Sequence, residues 1–132
     1  MKNNDLGFLI LRLTVGVLML FHGINKMVFG ISGITLMIES KGLPAILSYG
    51  VYVGEVLAPI LIIIGWRTRL ASIVLLINMI FAVFVANPSS LLELTQHGAW
   101  ASELGAFYLF LSVVLFFTGA GKYSLSSKSK WD

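Results

Sequence analysis

A chain of 132 residues is the size of one domain, and 58% of it is hydrophobic with only 11% charged, well beyond the roughly half-apolar, quarter-charged mix of soluble domains. Lipid is therefore the expected solvent, and the absence of cysteine excludes disulfide frameworks, thiolate nucleophiles, CxxC redox pairs and cysteine-held iron–sulfur or zinc centres. The net charge of +3 is scattered over helix ends and the C-terminal stretch, which excludes the clustered basic face that nucleic acid requires.

About 20 mainly apolar residues are needed to cross some 30 Å of hydrocarbon as a helix. The first such run covers residues 6–25. Lys2 precedes it in the manner of a secretory signal, but Arg12 interrupts it and no small-x-small cleavage site follows, so a permanent helix is expected. In the link that follows, Ile34, Met37 and Ile38 stand at helical spacing opposite Glu39 and Lys41, the pattern of a short interfacial helix. A second run spans residues 45–64 and ends in the tight turn Gly65-Trp66-Arg67-Thr68-Arg69. Residues 70–86 form the third and shortest run, and a link containing Asn-Pro-Ser-Ser, Glu93 and His97 leads to the fourth, residues 99–118. Runs of this length without period-2 alternation suit helices, and an open sheet would leave unpaired backbone groups in lipid.

The expected fold is therefore all-α: a four-transmembrane-helix bundle over residues 1–125, followed by a flexible tail, 126–132, too polar to pack. Lys2, Arg67, Arg69, Lys122, Lys128 and Lys130 share one face of such a bundle, against Lys26 and Lys41 on the other. The excess of basic residues places both chain ends in the cytoplasm.

Ionisable groups inside a span cost about 2.5 to 3.5 kcal/mol each on insertion scales, so they face the bundle interior and mark either a function or a structural pair. Arg12, His22, Glu55 and Glu103 are such groups. At ~1.5 Å rise per residue, two layers are expected. In the inner one, Arg12 reaches Glu55, with Asn78 at a compatible depth. In the outer one, His22, Asn25 and Lys26 at the end of the first helix meet Glu103 at the start of the fourth, with His97 nearby. Pro59 cannot donate to the carbonyl of Glu55 four residues earlier, so a kink is expected there. Gly50, Gly54 and Ala58 add a strip of small residues that admits a close neighbour.

Each feature has a plainer alternative. The inner trio is equally suited to locking helix registry, Gly and Pro are common in membrane helices, and a lone histidine is most often an interior hydrogen-bonding residue. Two histidines and two glutamates without HxxxH or ExxH spacing do not make a metal site, and His97 in a loop is a poor haem ligand. There is no GxGxxG after a strand, no GxxxxGK[ST] and no GxSxG. Trp66, Trp100, Tyr108 and Tyr123 lie near span ends, as interface anchors do.

Leu11-Arg12-Leu13, Gly16 and Phe21-His22-Gly23-x-x-Lys26 resemble the first-helix signature of the DoxX family of small bacterial membrane proteins. The resemblance continues through Gly42-Leu43-Pro44, Glu55, Gly65-x-x-Thr68-Arg69, Glu103 and Gly119-x-Gly121-Lys122-Tyr123-Ser124-Leu125. Ala120 and Ser126 depart from that family's closing Gly-Pro-Gly and Ser-Leu-Asp. The resemblance implies a four-helix protein of the bacterial inner membrane, classed as a component of membrane oxidoreductases, with relatives described as the membrane subunit of a thiosulfate:quinone oxidoreductase. The leading expectation is a quinone-linked redox component in which Arg12, Glu55 and Asn78 bind a quinone head group or move its protons, assisted by His22. Lys26 and Glu103 are further candidates. Electrons would come from a redox partner protein or from the substrate itself. The alternatives are a non-enzymatic anchoring or assembly subunit, possible also as a homo-oligomer, and a small transporter or proton path.

Overall fold

The structure, a computed structural model, describes residues 3–132. Lys2, one of the basic residues behind the expected orientation, lies outside the described residues. The described chain forms helices and turns with one isolated two-residue bridge.

The first helix, α1, covers Asn4–Phe29. Asn3 caps it by accepting from the Leu6 amide at 3.3 Å, and Gly30, with φ of 81°, stops it. It runs four residues beyond the expected end because Asn25 and Lys26 do not leave the helix for solvent; Lys26 turns its charge towards the bundle instead. A short helix, α2, covers Ser32–Ser40 and buries Ile38.

The next rod, α3, spans Ala45–Ile64 and is irregular. It opens as a 3-10 turn over Ala45–Tyr49, widens to a π-helical turn over Val53–Leu57 and closes as regular α-helix over Ala58–Ile64. Gly65 in the left-handed region ends it. The fourth helix, α4, covers Thr68–Ala86 and also widens at Phe81–Ala86. The last, α5, covers Glu103–Thr118. It starts four residues later than the hydropathy suggests because residues 94 to 100 close a small hairpin. Leu94 bridges Trp100 there, and the hydroxyls of Ser90 and Ser102 bond at 2.6 Å.

α1, α3 and α4 are long and apolar enough to cross a membrane; α5 is apolar but, at 16 residues, shorter. The four rods meet in a core of Val15 and Met19 from α1, Ala58 and Ile62 from α3, Leu75 and Met79 from α4, and Tyr108 and Leu115 from α5. Large apolar side chains also cover the outside: Ile10, Val17 and Phe21 on α1, and Phe107, Phe110 and Phe117 on α5, are exposed. In water such a surface would associate, whereas in hydrocarbon it is solvated.

Two crossings depend on missing side chains. A Cβ on Gly23 would overlap the carbonyl of Glu55, so only glycine lets α1 lie this close to the widened turn of α3. A Cβ on Gly54 would fall 2.5 Å from the side chain of Asn78, which occupies that space. Of the expected small-residue strip, Gly54 and Ala58 are buried at such contacts, while Gly50 meets nothing within 4 Å.

The segment 126–132, expected to be a flexible tail, is bonded together with Leu125 to the turn between α3 and α4. The amides of Leu125 and Ser126 donate to the carbonyls of Ile64 and Gly65 at 3.0 and 3.2 Å. The Asp132 carboxylate accepts from the Ser126 hydroxyl at 2.6 Å and from the backbone amides of Ser129 and Arg67 at 2.8 and 3.2 Å. These contacts use polar atoms, which is why a reading based on apolar content misses them.

Candidate functional site

Glu55 lies in the π-helical turn, where the Ala58 amide donates to Val53 five residues back. Pro59 has no amide proton to offer the Glu55 carbonyl, and that carbonyl faces Gly23. Widening the helix by one residue per turn accommodates the proline and turns the Glu55 side chain inward, where it is only 5% exposed. Such single π-turns recur at functional sites.

The partner of Glu55 differs from the one the sequence suggests. Lys26 from α1 forms an ion pair with Glu55 Oε2, and Asn78 Nδ2 from α4 donates to Oε1 at 3.2 Å. Two rods, α1 and α4, therefore contribute one group each to a carboxylate carried by a third, α3. Arg12, expected here, is elsewhere. Its guanidinium donates to the carbonyl of Ala120 and, at 2.6 Å, to that of Tyr123. It is 1% exposed, and its Nε has no partner among the described residues. The reason is direction. Side chains on a helix lean towards its N-terminus, so Arg12 points towards the Gly65 turn and the closing segment, away from Glu55. Lys26 lies beyond Glu55 on α1 and leans back towards it.

His22 packs edge-on against Tyr108, with ring centroids 5.9 Å apart and planes at 86°. Tyr108 was grouped by position with the interface anchors, yet it is 6% exposed and faces the interior. Glu103, in the first turn of α5, is exposed and makes no ion pair among the described residues. His97 is exposed in the loop before α5. The expected outer layer thus does not assemble: Lys26 joins Glu55 and Asn78, His22 joins Tyr108, and Glu103 stands apart.

Two cavities flank the Lys26–Glu55 pair. One, of about 540 Å³, lies between α2, α3 and α4, and its walls are largely apolar, including Met37, Leu47, Val74 and Phe81. Lys26, Glu55 and Asn78 supply charge and hydrogen bonds at its inner end, and Ser48 adds a hydroxyl. The other, of about 180 Å³, lies between α1, α4 and α5 and contains His22 and Tyr108 together with the same Lys26 and Glu55. A site with two donors, one carboxylate and largely apolar walls suits an amphiphile with a small polar head.

The DoxX family profile matches residues 7–88, a stretch that carries Arg12, His22, Lys26, Glu55 and Asn78. The chain belongs to the DoxX family. As a DoxX protein it is similar to a Bacillus subtilis protein named "Putative oxidoreductase CatD", 28% identical over 86 residues, 65% of this chain. That match spans 63% of the Bacillus protein, under two thirds of its length. It is also similar to an uncharacterized protein of Haemophilus influenzae, 30% identical over 118 residues, 89% of this chain and 87% of that one. No solved structure matches this DoxX chain.

Proposed function

We propose that this DoxX protein is a four-helix component of a quinone-linked redox system in the bacterial inner membrane, with both ends in the cytoplasm and α2 lying at the interface. The observation that carries this reading is the Lys26–Glu55–Asn78 cluster at the inner end of an apolar cavity of about 540 Å³. A quinone offers two carbonyl acceptors, which Lys26 Nζ and Asn78 Nδ2 can meet, and its reduced form offers hydroxyl donors, which Glu55 can accept. Its isoprenoid tail suits the apolar walls. Quinone chemistry moves protons as well as electrons, and the Glu55 carboxylate can take up a proton when Lys26 leaves the ion pair for a quinone carbonyl. With no cysteine and no nucleotide motif in the sequence, the electrons are assigned to a redox partner protein. The relative named as an oxidoreductase supports the class of reaction.

The second reading, a non-enzymatic anchoring subunit, is favoured by the bonded tail, which presents Lys122, Lys128 and Lys130 at the surface. Native mass spectrometry with lipid extraction on the gently solubilised protein separates the two. The quinone reading expects a co-purifying quinone that is lost in a folded Glu55→Gln variant. A bound protein subunit with no quinone in either form would replace it with the anchoring reading.

A further inference from the structure

The two cavities share Lys26, Glu55 and Ala82 but are otherwise lined by different chemistry. Four of the nine residues around the smaller one, His22, Lys26, Glu55 and Tyr108, are polar or charged. Its volume of about 180 Å³ has room for several waters, and these four side chains supply the polar partners that a buried water needs. Tyr108 is 94% buried, yet its hydroxyl, without a hydrogen-bond partner among the described residues, is not one of the fully enclosed orphan atoms there, so it keeps surface that a water can reach. His22 lines this cavity and is also exposed on the surface of α1.

We propose that the smaller cavity is a water-filled proton access to Glu55 with His22 as its relay, separate from the lipid-side access that the larger cavity provides. This rests on the reading of Glu55 as the proton-holding group. In the step itself, the Glu55 carboxyl gives its proton to a water in the cavity, and that water gives one to an imidazole nitrogen of His22. His22 releases a proton from its other nitrogen to solvent, and the Glu55 carboxylate left behind restores the ion pair with Lys26. Charge and protons balance without any redox event. The groups that face Glu55 are Lys26 and His22 from α1, Asn78 from α4 and Tyr108 from α5; α2 contributes only apolar side chains to the neighbouring cavity. Histidine suits the relay because its two nitrogens bind and release protons near neutral pH.

The absence of cysteine makes the water route directly measurable. Single Met19→Cys and Met79→Cys variants report on the smaller cavity and Val74→Cys and Ile77→Cys on the larger. In proteoliposomes, a charged, membrane-impermeant methanethiosulfonate should modify the first pair while a membrane-permeant maleimide modifies all four. Labelling of Val74→Cys and Ile77→Cys by the charged reagent, with the first pair silent, overturns the assignment of the two entrances. For the relay, the infrared carboxyl band that is absent in Glu55→Gln is followed after an acid pH jump. Its rate of appearance should fall by ~10-fold or more in His22→Gln with the final amplitude unchanged. A merely structural histidine would alter the amplitude and not the rate. An unchanged rate, or a Glu55 band that never appears, overturns the relay. Neither measurement uses a quinone, so the quinone reading can fail while the proton path stands, and the reverse.

Discussion

Replacing Lys26 and Glu55 singly and together tests whether they are the energetic pair at the centre of the bundle. The Glu55 side chain is 6% exposed and that of Lys26 24%, so the two single changes are unequal. Lys26→Met strands a buried carboxylate with only the Asn78 amide to meet it, which should destabilise by about 3 kcal/mol. Glu55→Leu leaves an ammonium that can extend its stem towards solvent and an asparagine without its acceptor, together about 2 kcal/mol. Independent effects would sum to about 5 kcal/mol, whereas the double variant, with neither charge left, should lose only about 2 to 3 kcal/mol, a coupling of ~2 kcal/mol or more. Reversible unfolding in mixed detergent micelles supplies all three values. The cycle of Arg12→Leu with Glu55→Leu is the control and should be additive within ~0.5 kcal/mol. A coupling below that level for Lys26 and Glu55, or a large one for Arg12 and Glu55, would refute the arrangement described above.

Gly23→Ala places a methyl group on the Glu55 carbonyl and should cost about 3 kcal/mol in the same assay, while Gly50→Ala, with nothing within 4 Å, should stabilise by up to ~1 kcal/mol through helix propensity. The carboxyl of Asp132 is held below its ordinary value of 3.8 by the Ser126 hydroxyl, then by the amides of Ser129 and Arg67 and the Arg67 charge. Because the docked state lowers the affinity for the proton, its contribution is full above the ordinary value and is lost as pH falls through the lower docked one. Protection of the amides in residues 124–132 relative to their intrinsic exchange rates should therefore stay high from neutral pH to about pH 4 and fall only in stronger acid, whereas in Asp132→Asn it should already be low at neutral pH.

The helices were legible because hydropathy over a long run needs no partner to be read. The packed rods fall within a few residues of the runs seen in the sequence, and the discrepancies have local causes, such as Lys26 turning inward at one end and the Ser90–Ser102 contact at another. Pairing was less legible. Depth arguments put Arg12 and Glu55 within reach, but depth does not say which way a side chain leans. Lys26 does stand in the last turn of α1, but its place along the helix does not say that its charge turns inward to Glu55, and a place near a span end does not show that Tyr108 is buried. Glu55 and Asn78 do meet, since a carboxylate and an amide at similar depth on adjacent helices have few other partners. The tail was misread because backbone amides and one aspartate hold it, and these leave no hydropathy signal.

Arg12 finds its acceptors 108 and 111 residues downstream, in the carbonyls of Ala120 and Tyr123. A nascent chain therefore delivers its first helix to the membrane long before the groups that satisfy this arginine exist, and a lone arginine in a span costs about 2.5 to 3.5 kcal/mol on insertion scales. The first segment can settle to its final depth only once translation has supplied the closing one. A product that stops short of residue 120 leaves that guanidinium without either of these carbonyls.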